Sequence, residues 1–335
     1  MSRKRSQLAA GRRPVYVATR LYEPAGRYLG ARLERGCLAG LIAELGEEAQ
    51  RPLTFLPYRD SNAALRDVDP DGLSRAIFEL DSRRLRDGYA LLAPLGDLQA
   101  DSGVAFEVGY AAASGVPAAL FGLNFFKLRY PGSAGEWVLP PLLEALAAEV
   151  HDLGGFEVAA GRDYLEAVEA HLDRIERAAA DLCRRWAASP PDPPATARPR
   201  PQRGRVHLEF AGGRNEAAVM LARRAEEVLR RRGWRVGRSR RHELAGDPLR
   251  LALDDLKQAA SSQVVVVWGD GDDVDAESAA LQGYVYGLGR RVILYGSERR
   301  RVYAGPGYDN RFNLMLSCSA EKIVSSLDGL AAALG

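Results

Sequence analysis

The sequence predicts an α/β fold in which a parallel, doubly wound sheet is built twice in tandem. Short apolar runs alternate with amphipathic helical segments through residues 15–121, and the same alternation returns after residue 205. A proline-rich stretch separates the two halves. Alternation at this rhythm is typical of flavodoxin-like or Rossmann-like three-layer α/β/α domains, which carry helices on both faces of the sheet. A chain of 335 residues is long enough for two such domains.

The elements follow from apolar periodicity. In the first half the predicted strands are residues 15–18, 53–56, 88–95 and 116–121. The predicted helices are residues 25–45, 72–86, 102–114, 139–150 and 163–186. Asp69 and Asp71 come directly before the second helix, where carboxylates are favoured. In the second half residues 265–268 and 291–295 are predicted strands, and residues 278–287 are a predicted helix.

The chain divides into five segments. They are a basic arm at residues 1–13, a first domain at 14–150, a connecting amphipathic helix at 151–188, a linker with six prolines at 189–204 and a second domain at 205–335. We expect the connecting helix to bridge the two halves or to pack between them. The arm has no apolar segment behind it and is typical of a disordered solubilising tail, which we favour over a nucleic-acid contact.

Composition excludes several classes. Cys37, Cys183 and Cys318 stand alone, without C-x-x-C spacing, which predicts a reducing cytoplasm rather than a disulfide framework. The four histidines are scattered without a ligand pattern, so we expect neither a metal nor another cofactor. Since no run of about 18 apolar residues occurs, no membrane span is expected. The arginine-rich stretch at residues 223–241 is interrupted by glutamates and predicts a solvated face rather than a nucleic-acid surface.

One carboxylate stands out in the first half. Glu107 is the only charged residue between Asp101 and Lys127, within an otherwise small and apolar helical segment. Asp101 is placed at or beside the N-cap of this helix. Because ligand pockets of parallel sheets lie beyond the carboxyl ends of the strands, this helix start is predicted to line one. The alternative is that Glu107 faces water.

Several positions around Glu107 form a pattern: Asp81, Asp87, then Asp101-Ser-Gly103-Val-Ala-Phe-Glu107-Val-Gly109-Tyr110-Ala, with Gly115-Val-Pro117 behind it. This pattern resembles the signature of the nucleoside 2-deoxyribosyltransferase family, D-x-G-x-x-x-E-x-G-Y-A followed by G-[KV]-P. The resemblance covers roughly residues 14–150. It is far more specific than a lone glycine motif.

The resemblance implies an N-glycosyl-bond enzyme that acts on a nucleoside or nucleotide. Glu107 would be the nucleophile on the anomeric carbon, and Tyr16 of the first strand would sit over it. Asp81 and Asp101 would handle the base and the sugar hydroxyls, with Gly103 and Asp87 among the substrate-binding positions. Breaking an N-glycosidic bond needs one ionised carboxylate to trap C1′ and another to assist the leaving base, and it needs no cofactor.

Arginines follow the first strand. Arg20 and Arg27 lie in a loop that opens over the same pocket, so either is a candidate ligand for a 5′-phosphate. The alternative is that they have no specific role.

The second half can be laid on the first without a gap over the central motif. Setting Gly283-Tyr284 on Gly109-Tyr110 pairs Asp275 with Asp101, Asp255 with Asp81 and Gly289 with Gly115. These coincidences indicate an internal duplication. At the same offset Leu281 replaces Glu107 and Ser261 replaces Asp87. At the start of the second fold, Val206-His207-Leu208 stands where Val15-Tyr16-Val17 does in the first, so the tyrosine is replaced by His207. The second copy is therefore predicted to be catalytically dead.

A second copy without catalytic activity can still contribute a residue to the pocket of the first copy. Members of the family assemble as dimers in which a C-terminal asparagine of one subunit completes the pocket of its neighbour, and the segment around Asn313 resembles that one. Residues 136–139 of the first copy lack an asparagine. We expect an intramolecular pseudo-dimer with one live site. Further homodimerisation, the base, the sugar, the need for a 5′-phosphate and the choice between transferase and hydrolase stay open, as does a non-catalytic nucleotide sensor.

Overall fold

The computed structural model describes residues 8, 13–21, 23–47, 52–96, 100–124, 127–129, 135–155, 163–194, 196, 198–210, 216–241, 246–270, 274–297, 303–305 and 308–335. In these ranges no helix is long and apolar enough to cross a membrane. The basic arm at 1–13 lies outside the described residues except at positions 8 and 13.

The first half forms a five-stranded sheet in which every pairing is parallel. Its strands are β1 (Val15–Val17), β2 (Thr54–Phe55), β3 (Ala90–Leu95), β4 (Ala118–Gly122) and β5 (Glu149–Asp152), in the order β2-β1-β3-β4-β5. Its helices are α1 (Pro24–Leu45), α2 (Pro57–Ala64), α3 (Pro70–Arg86), α4 (Ser102–Ser114), α5 (Pro141–Leu146) and α6 (Tyr164–Ala188). Central strands β3 and β4 are buried throughout, which explains their continuous apolar sequence.

The second half repeats this sheet. Its parallel strands are β6 (Gln202–Glu209), β7 (Arg235–Arg238), β8 (Ser262–Trp268), β9 (Arg291–Tyr295) and β12 (Lys322–Val324), ordered β7-β6-β8-β9-β12. A separate antiparallel hairpin joins β10 (Tyr303–Gly305) to β11 (Tyr308–Asn310). The helices are α7 (Glu216–Arg231), α8 (Pro248–Ala260), α9 (Ala276–Gly287), α10 (Leu314–Ser319) and α11 (Leu327–Ala333). The tandem three-layer α/β fold predicted from the sequence is confirmed.

The strand registers of the two sheets correspond. Tyr16 of β1 pairs with Leu91 of β3, and His207 of β6 pairs with Val265 of β8. Val265 is the residue that the gapless sequence alignment sets on Leu91. His207 therefore occupies in the second sheet the place that Tyr16 has in the first.

Two helix predictions need correction in the first half. The expected helix at 139–150 is a short helix followed by β5, so a domain boundary at residue 150 cuts the fifth strand. β5 reads Glu-Val-His-Asp and is a partly exposed edge strand, which is why it lacks an apolar run. Helix α2 was not expected, because most of its residues are polar.

The connecting helix was expected to bridge the two halves or to pack between them, and the structure does not show the second of these placements. Helix α6 lies along α1 on the outer side of the first domain, where its apolar residues join the first core. Two glycines of α1 permit the close contact: a Cβ at Gly36 would lie 2.2 Å from the carbonyl oxygen of Glu176, and one at Gly40 would lie 2.1 Å from that of Ala180. The linker also ends earlier than predicted, since β6 begins at Gln202.

The halves meet through α4 and α9. A Cβ at Gly109 would lie 1.8 Å from the carbonyl oxygen of Ala280, and a Cβ at Gly283 would lie 2.0 Å from that of Phe106. In the gapless match Gly109 corresponds to Gly283, and Phe106 corresponds to Ala280. Each glycine therefore contacts, on the other helix, the residue that corresponds to its partner's contact. This reciprocity is the pattern of an isologous interface between subunits of a two-fold dimer, here within one chain.

Candidate active site

The hydroxyl of Tyr16 donates a hydrogen bond of 2.5 Å to Oε1 of Glu107. Tyr16 lies in β1 and is fully buried, and Glu107 lies on α4 with 6 % of its surface exposed. The expectation that Tyr16 sits over Glu107 is met by this geometry, and the alternative that Glu107 faces water is wrong. Nearly every other residue of α4 is buried as well, because the helix lies between the first sheet and α9.

Burial disfavours charge on both partners. It raises the pKa of Glu107 well above its usual range, and the negative charges of Asp81 and Asp101 raise it further, while the hydrogen bond from Tyr16 opposes the shift. The pKa of Tyr16 is also raised, first by burial and then by the nearby carboxylates. Tyr16 therefore keeps its proton and acts as a donor.

Asp81 lies on α3 and is 2 % exposed. Its Oδ1 accepts a hydrogen bond of 2.5 Å from the hydroxyl of Ser61. Burial raises the pKa of Asp81 to about 7, against the opposing effect of this hydrogen bond. Asp81 can thus both give and take a proton near neutral pH. Ser61 was missed by sequence reasoning because its helix, α2, was not predicted.

Asp101 caps the start of α4, as predicted. Its Oδ1 accepts from the backbone N–H of Val104 at 3.0 Å. Its Oδ2 faces the pocket rim, 3.9 Å from Nε of Arg20.

Asn313 reaches this pocket from the second half of the chain. It caps α10, where its Oδ1 accepts from the N–H of Met315 at 3.0 Å, and it is 4 % exposed. Its Nδ2 lies beside Gly103, where a Cβ would be 2.6 Å away. Gly103 therefore leaves the room that the Asn313 amide occupies.

These side chains surround one pocket of about 350 Å³, counting its space open to solvent. The lining residues are Thr19, Leu21, Asp81, Asp101, Gly103, Val104, Glu107, Asn313, Leu314 and Met315. Thr19 and Leu21 come just after β1. They could have been predicted, because pockets of parallel sheets are lined by residues that follow the carboxyl ends of the strands. Leu314 and Met315 follow Asn313, and no sequence feature of their own predicted that they line the pocket.

Four predicted residues are not among those that line the pocket: Tyr16, which contacts Glu107 from β1, and Asp87, Arg20 and Arg27. Asp87 ends α3 just before β3, so it lies at the amino edge of the sheet, opposite the pocket, and its exposed carboxylate pairs with Arg86. The structure therefore does not bring Asp87 to the pocket in which the sequence placed it. Arg27 donates to the carbonyl of Leu21 at 2.6 Å, and Arg20 pairs with Glu23 at 3.2 Å. Both arginines are at the rim.

Residues 15–138 match the family model described as nucleoside 2-deoxyribosyltransferase. The matched segment holds Tyr16, Asp81, Asp101, Gly103 and Glu107, whereas Asn313 lies beyond it. No curated protein matches the chain.

Proposed function

Since residues 15–138 form a domain of the nucleoside 2-deoxyribosyltransferase family, we propose that the protein breaks the N-glycosidic bond of a nucleoside, with Glu107 as the nucleophile. The observation that carries the proposal is the buried hydrogen bond of 2.5 Å from Tyr16 to Glu107. A buried carboxylate oriented by one donor and facing a pocket is an arrangement suited to attack on an electrophilic carbon.

In the first step the ionised Glu107 carboxylate attacks C1′ while the bond from C1′ to the base nitrogen breaks. The bonding electron pair leaves with the base, and protonated Asp81 supplies the proton that neutralises it. Tyr16 stabilises the carboxylate form of Glu107 and holds its orientation. The products are a glycosyl ester on Glu107 and the free base.

Asp101 and Asn313 are assigned to the sugar. A carboxylate accepts hydrogen bonds from hydroxyl groups, and the amide of Asn313 can donate one. Because Asn313 comes from the second half, that half acts as the built-in partner of an intramolecular pseudo-dimer. Ordering the sugar through both halves would hold C1′ within reach of Glu107.

In the second step the Asp81 carboxylate takes a proton from the incoming nucleophile, which attacks C1′ and releases Glu107. If that nucleophile is another base the enzyme is a transferase, the activity for which the family is named. If it is water the enzyme is a hydrolase. The two differ only in what the pocket admits during the lifetime of the ester.

The charge of the pocket favours an unphosphorylated nucleoside. The described lining residues include three carboxylates and no lysine or arginine. A 5′-phosphate there would meet carboxyl groups and no cation among the described lining residues, and the nearby rim arginines already have carboxylate or carbonyl partners. The nucleotide substrate considered from the sequence is therefore the weaker candidate.

The alternative is a nucleotide sensor that binds without turnover. To separate the two, released base is measured by mass spectrometry from a panel of nucleosides and 5′-monophosphates, with and without an acceptor base. Wild type, Glu107→Ala and Glu79→Gln are compared, the last being an exposed carboxylate on α3. Base release in wild type and Glu79→Gln that is lost in Glu107→Ala supports the enzyme, and dependence on the acceptor identifies a transferase. Nucleotide binding without base release supports the sensor.

A further inference from the structure

A cluster of buried charges lies in the second half, and the proposed reaction makes no use of it. We call it the Arg241 cluster, and it comprises Arg241, Glu209, Asp255 and Glu277. Nη2 of Arg241 donates to Glu209 at 2.5 Å, Nε donates to Glu277 at 3.2 Å, and Nη1 lies 3.4 Å from Asp255. All four side chains are at most 3 % exposed.

The cluster lies where the second half would have its own pocket. The gapless alignment sets Asp255 on Asp81 and Glu277 on Gly103. Glu209 ends β6, two residues after His207, which holds the position of Tyr16. The guanidinium of Arg241 thus lies among the residues that correspond to the walls of the live pocket.

The two halves differ in the residue that reaches the pocket from the segment after β2 in the first sheet and after β7 in the second. In the first half, the segment after β2 brings the neutral hydroxyl of Ser61 to Asp81. In the second half, the segment after β7 brings Arg241, and Asp255 also accepts from the backbone N–H groups of Arg240 and Arg241 at 2.9 and 3.0 Å. The pocket of the first half stays open and holds the carboxyl group of Asp81. The corresponding place in the second half is filled by the guanidinium of Arg241.

Glu277 connects the Arg241 cluster to the first half. Its Oε1 accepts from the N–H of Leu142 at 2.8 Å, at the start of α5. Pro140 stands at the N-cap of α5 and has no side-chain acceptor, so Glu277 supplies the missing cap. At the equivalent place of the live pocket Gly103 has no side chain, and the Asn313 amide fills the space instead.

We propose that Arg241 is an internal ligand: its guanidinium occupies and closes the pocket of the second half, and through Glu277 it fastens that half to α5 of the first. The second pocket is then a guanidinium site shaped by three carboxylates, and of these two corresponding pockets the first alone is open. Removing the guanidinium leaves three buried carboxylates without their shared cation, which is strongly destabilising.

The proposal is tested by thermal unfolding of wild type, Arg241→Ala and Arg231→Ala. The Arg231 side chain is 81 % exposed and serves as the matched control. We expect Arg241→Ala to lower the unfolding midpoint by roughly 5–10 °C, and Arg231→Ala to leave it unchanged. Millimolar methylguanidinium should raise the midpoint of Arg241→Ala alone, while methylammonium, which lacks the planar fork, should not.

An unchanged midpoint in Arg241→Ala would overturn the proposal, as would a lowered midpoint that methylguanidinium does not restore. A second measurement uses wild type and covers the case in which Arg241→Ala does not fold. Phenylglyoxal modification, mapped by mass spectrometry, should spare Arg241 in the native protein while it modifies Arg231. Equal modification of both would contradict the proposal. These readouts are stability and accessibility, so they do not depend on whether Glu107 is a nucleophile.

Discussion

Tyr16 and Glu107 are separated by 91 positions in the chain, yet the tyrosine hydroxyl lies 2.5 Å from the carboxylate. The fold produces this contact by placing β1 inside the sheet, between β2 and β3, while α4 packs on the neighbouring strands β3 and β4. In a buried setting, a single donor decides how much of the carboxylate is ionised and which way it points.

Replacing Tyr16 with Phe should lower kcat/KM by roughly 10- to 100-fold at neutral pH, the cost of one hydrogen bond to a charged group. The Tyr16 hydroxyl lowers the pKa of Glu107, so without it the pKa rises further and the acid limb of the pH–rate profile moves to higher pH. Tyr28→Phe is the matched control, since it removes an exposed hydroxyl that bonds Glu169 on the outer face. Equal profiles for wild type and Tyr16→Phe would count against this role.

Asp81→Asn should change both activity and the pH dependence of stability. The pKa of Asp81 is raised from 3.8 to about 7, so the folded state holds this proton more tightly than the unfolded state does. Asp81 therefore contributes a loss of stability of on the order of 2–4 kcal/mol as the pH rises from about 4 to about 7. Asp81→Asn should lack this contribution and lose less stability than wild type, while the loss due to Glu107 remains. Denaturant unfolding at pH 5 and pH 8 checks this, and a wild-type stability that does not fall would contradict it.

The protonation state of Asp81 should also determine how the rate of base release depends on pH. Protonated Asp81 is the proposed donor to the leaving base, so base release should decline above pH about 7 in wild type. In Asp81→Asn base release should be greatly reduced at every pH. A good leaving group, which needs no proton, should recover much of the lost rate. If the poor and the good leaving group lose rate equally, Asp81 is not the acid.

Asn313 is tested with two substitutions that separate its two contacts. Asn313→Ser keeps an oxygen that can cap α10 but lacks the amide, whereas Asn313→Ala loses both. We expect both variants to lower kcat/KM by roughly 5- to 100-fold, and only Asn313→Ala to lose about 0.5–2 kcal/mol of stability. If Asn313→Ser turns over substrate like wild type, the amide plays no part in a reaction whose nucleophile lies in the other half.

Gly109→Ala tests whether the two halves must touch for activity. Its new Cβ would lie 1.8 Å from the carbonyl oxygen of Ala280, so α4 and α9 must separate. We expect a loss of about 1–3 kcal/mol or more, together with lost activity, because Asn313 moves away with the second half. Gly72→Ala is the control on α3, where nothing lies within 4 Å of the new Cβ. Normal activity of Gly109→Ala would show that the interface is dispensable.

Two of the pocket residues, Glu107 and Asp101, are marked by the sequence immediately around them. Glu107 is the only charge in an apolar helix, and Asp101 stands at the N-cap of that helix. Asp87 shares their motif but lies at the opposite edge of the sheet, a difference that depends on whether a residue precedes or follows its strand. Asn313 was placed from the family resemblance, and the structure puts it at the pocket wall.

The residues that were missed depend on contacts distant in the chain. Ser61 lies on a short polar helix, and its partner Asp81 is 20 positions away. Arg241 belongs to an arginine-rich stretch that predicts a solvated face, yet it is buried against Glu209, Asp255 and Glu277. Burial of one arginine among several cannot be read from composition, because it follows from where the loop after β7 closes.

The central claim is that Glu107 forms a covalent bond with the sugar. The direct measurement is mass spectrometry of the protein incubated with a 2′-deoxy-2′-fluoro-arabinonucleoside, whose fluorine destabilises the oxocarbenium-like state and slows breakdown of the ester. We predict one added glycosyl group per chain, mapped to the peptide that contains Glu107 and absent from Glu107→Ala. Base release with no adduct on that peptide, or an adduct that persists in Glu107→Ala, would contradict the claim.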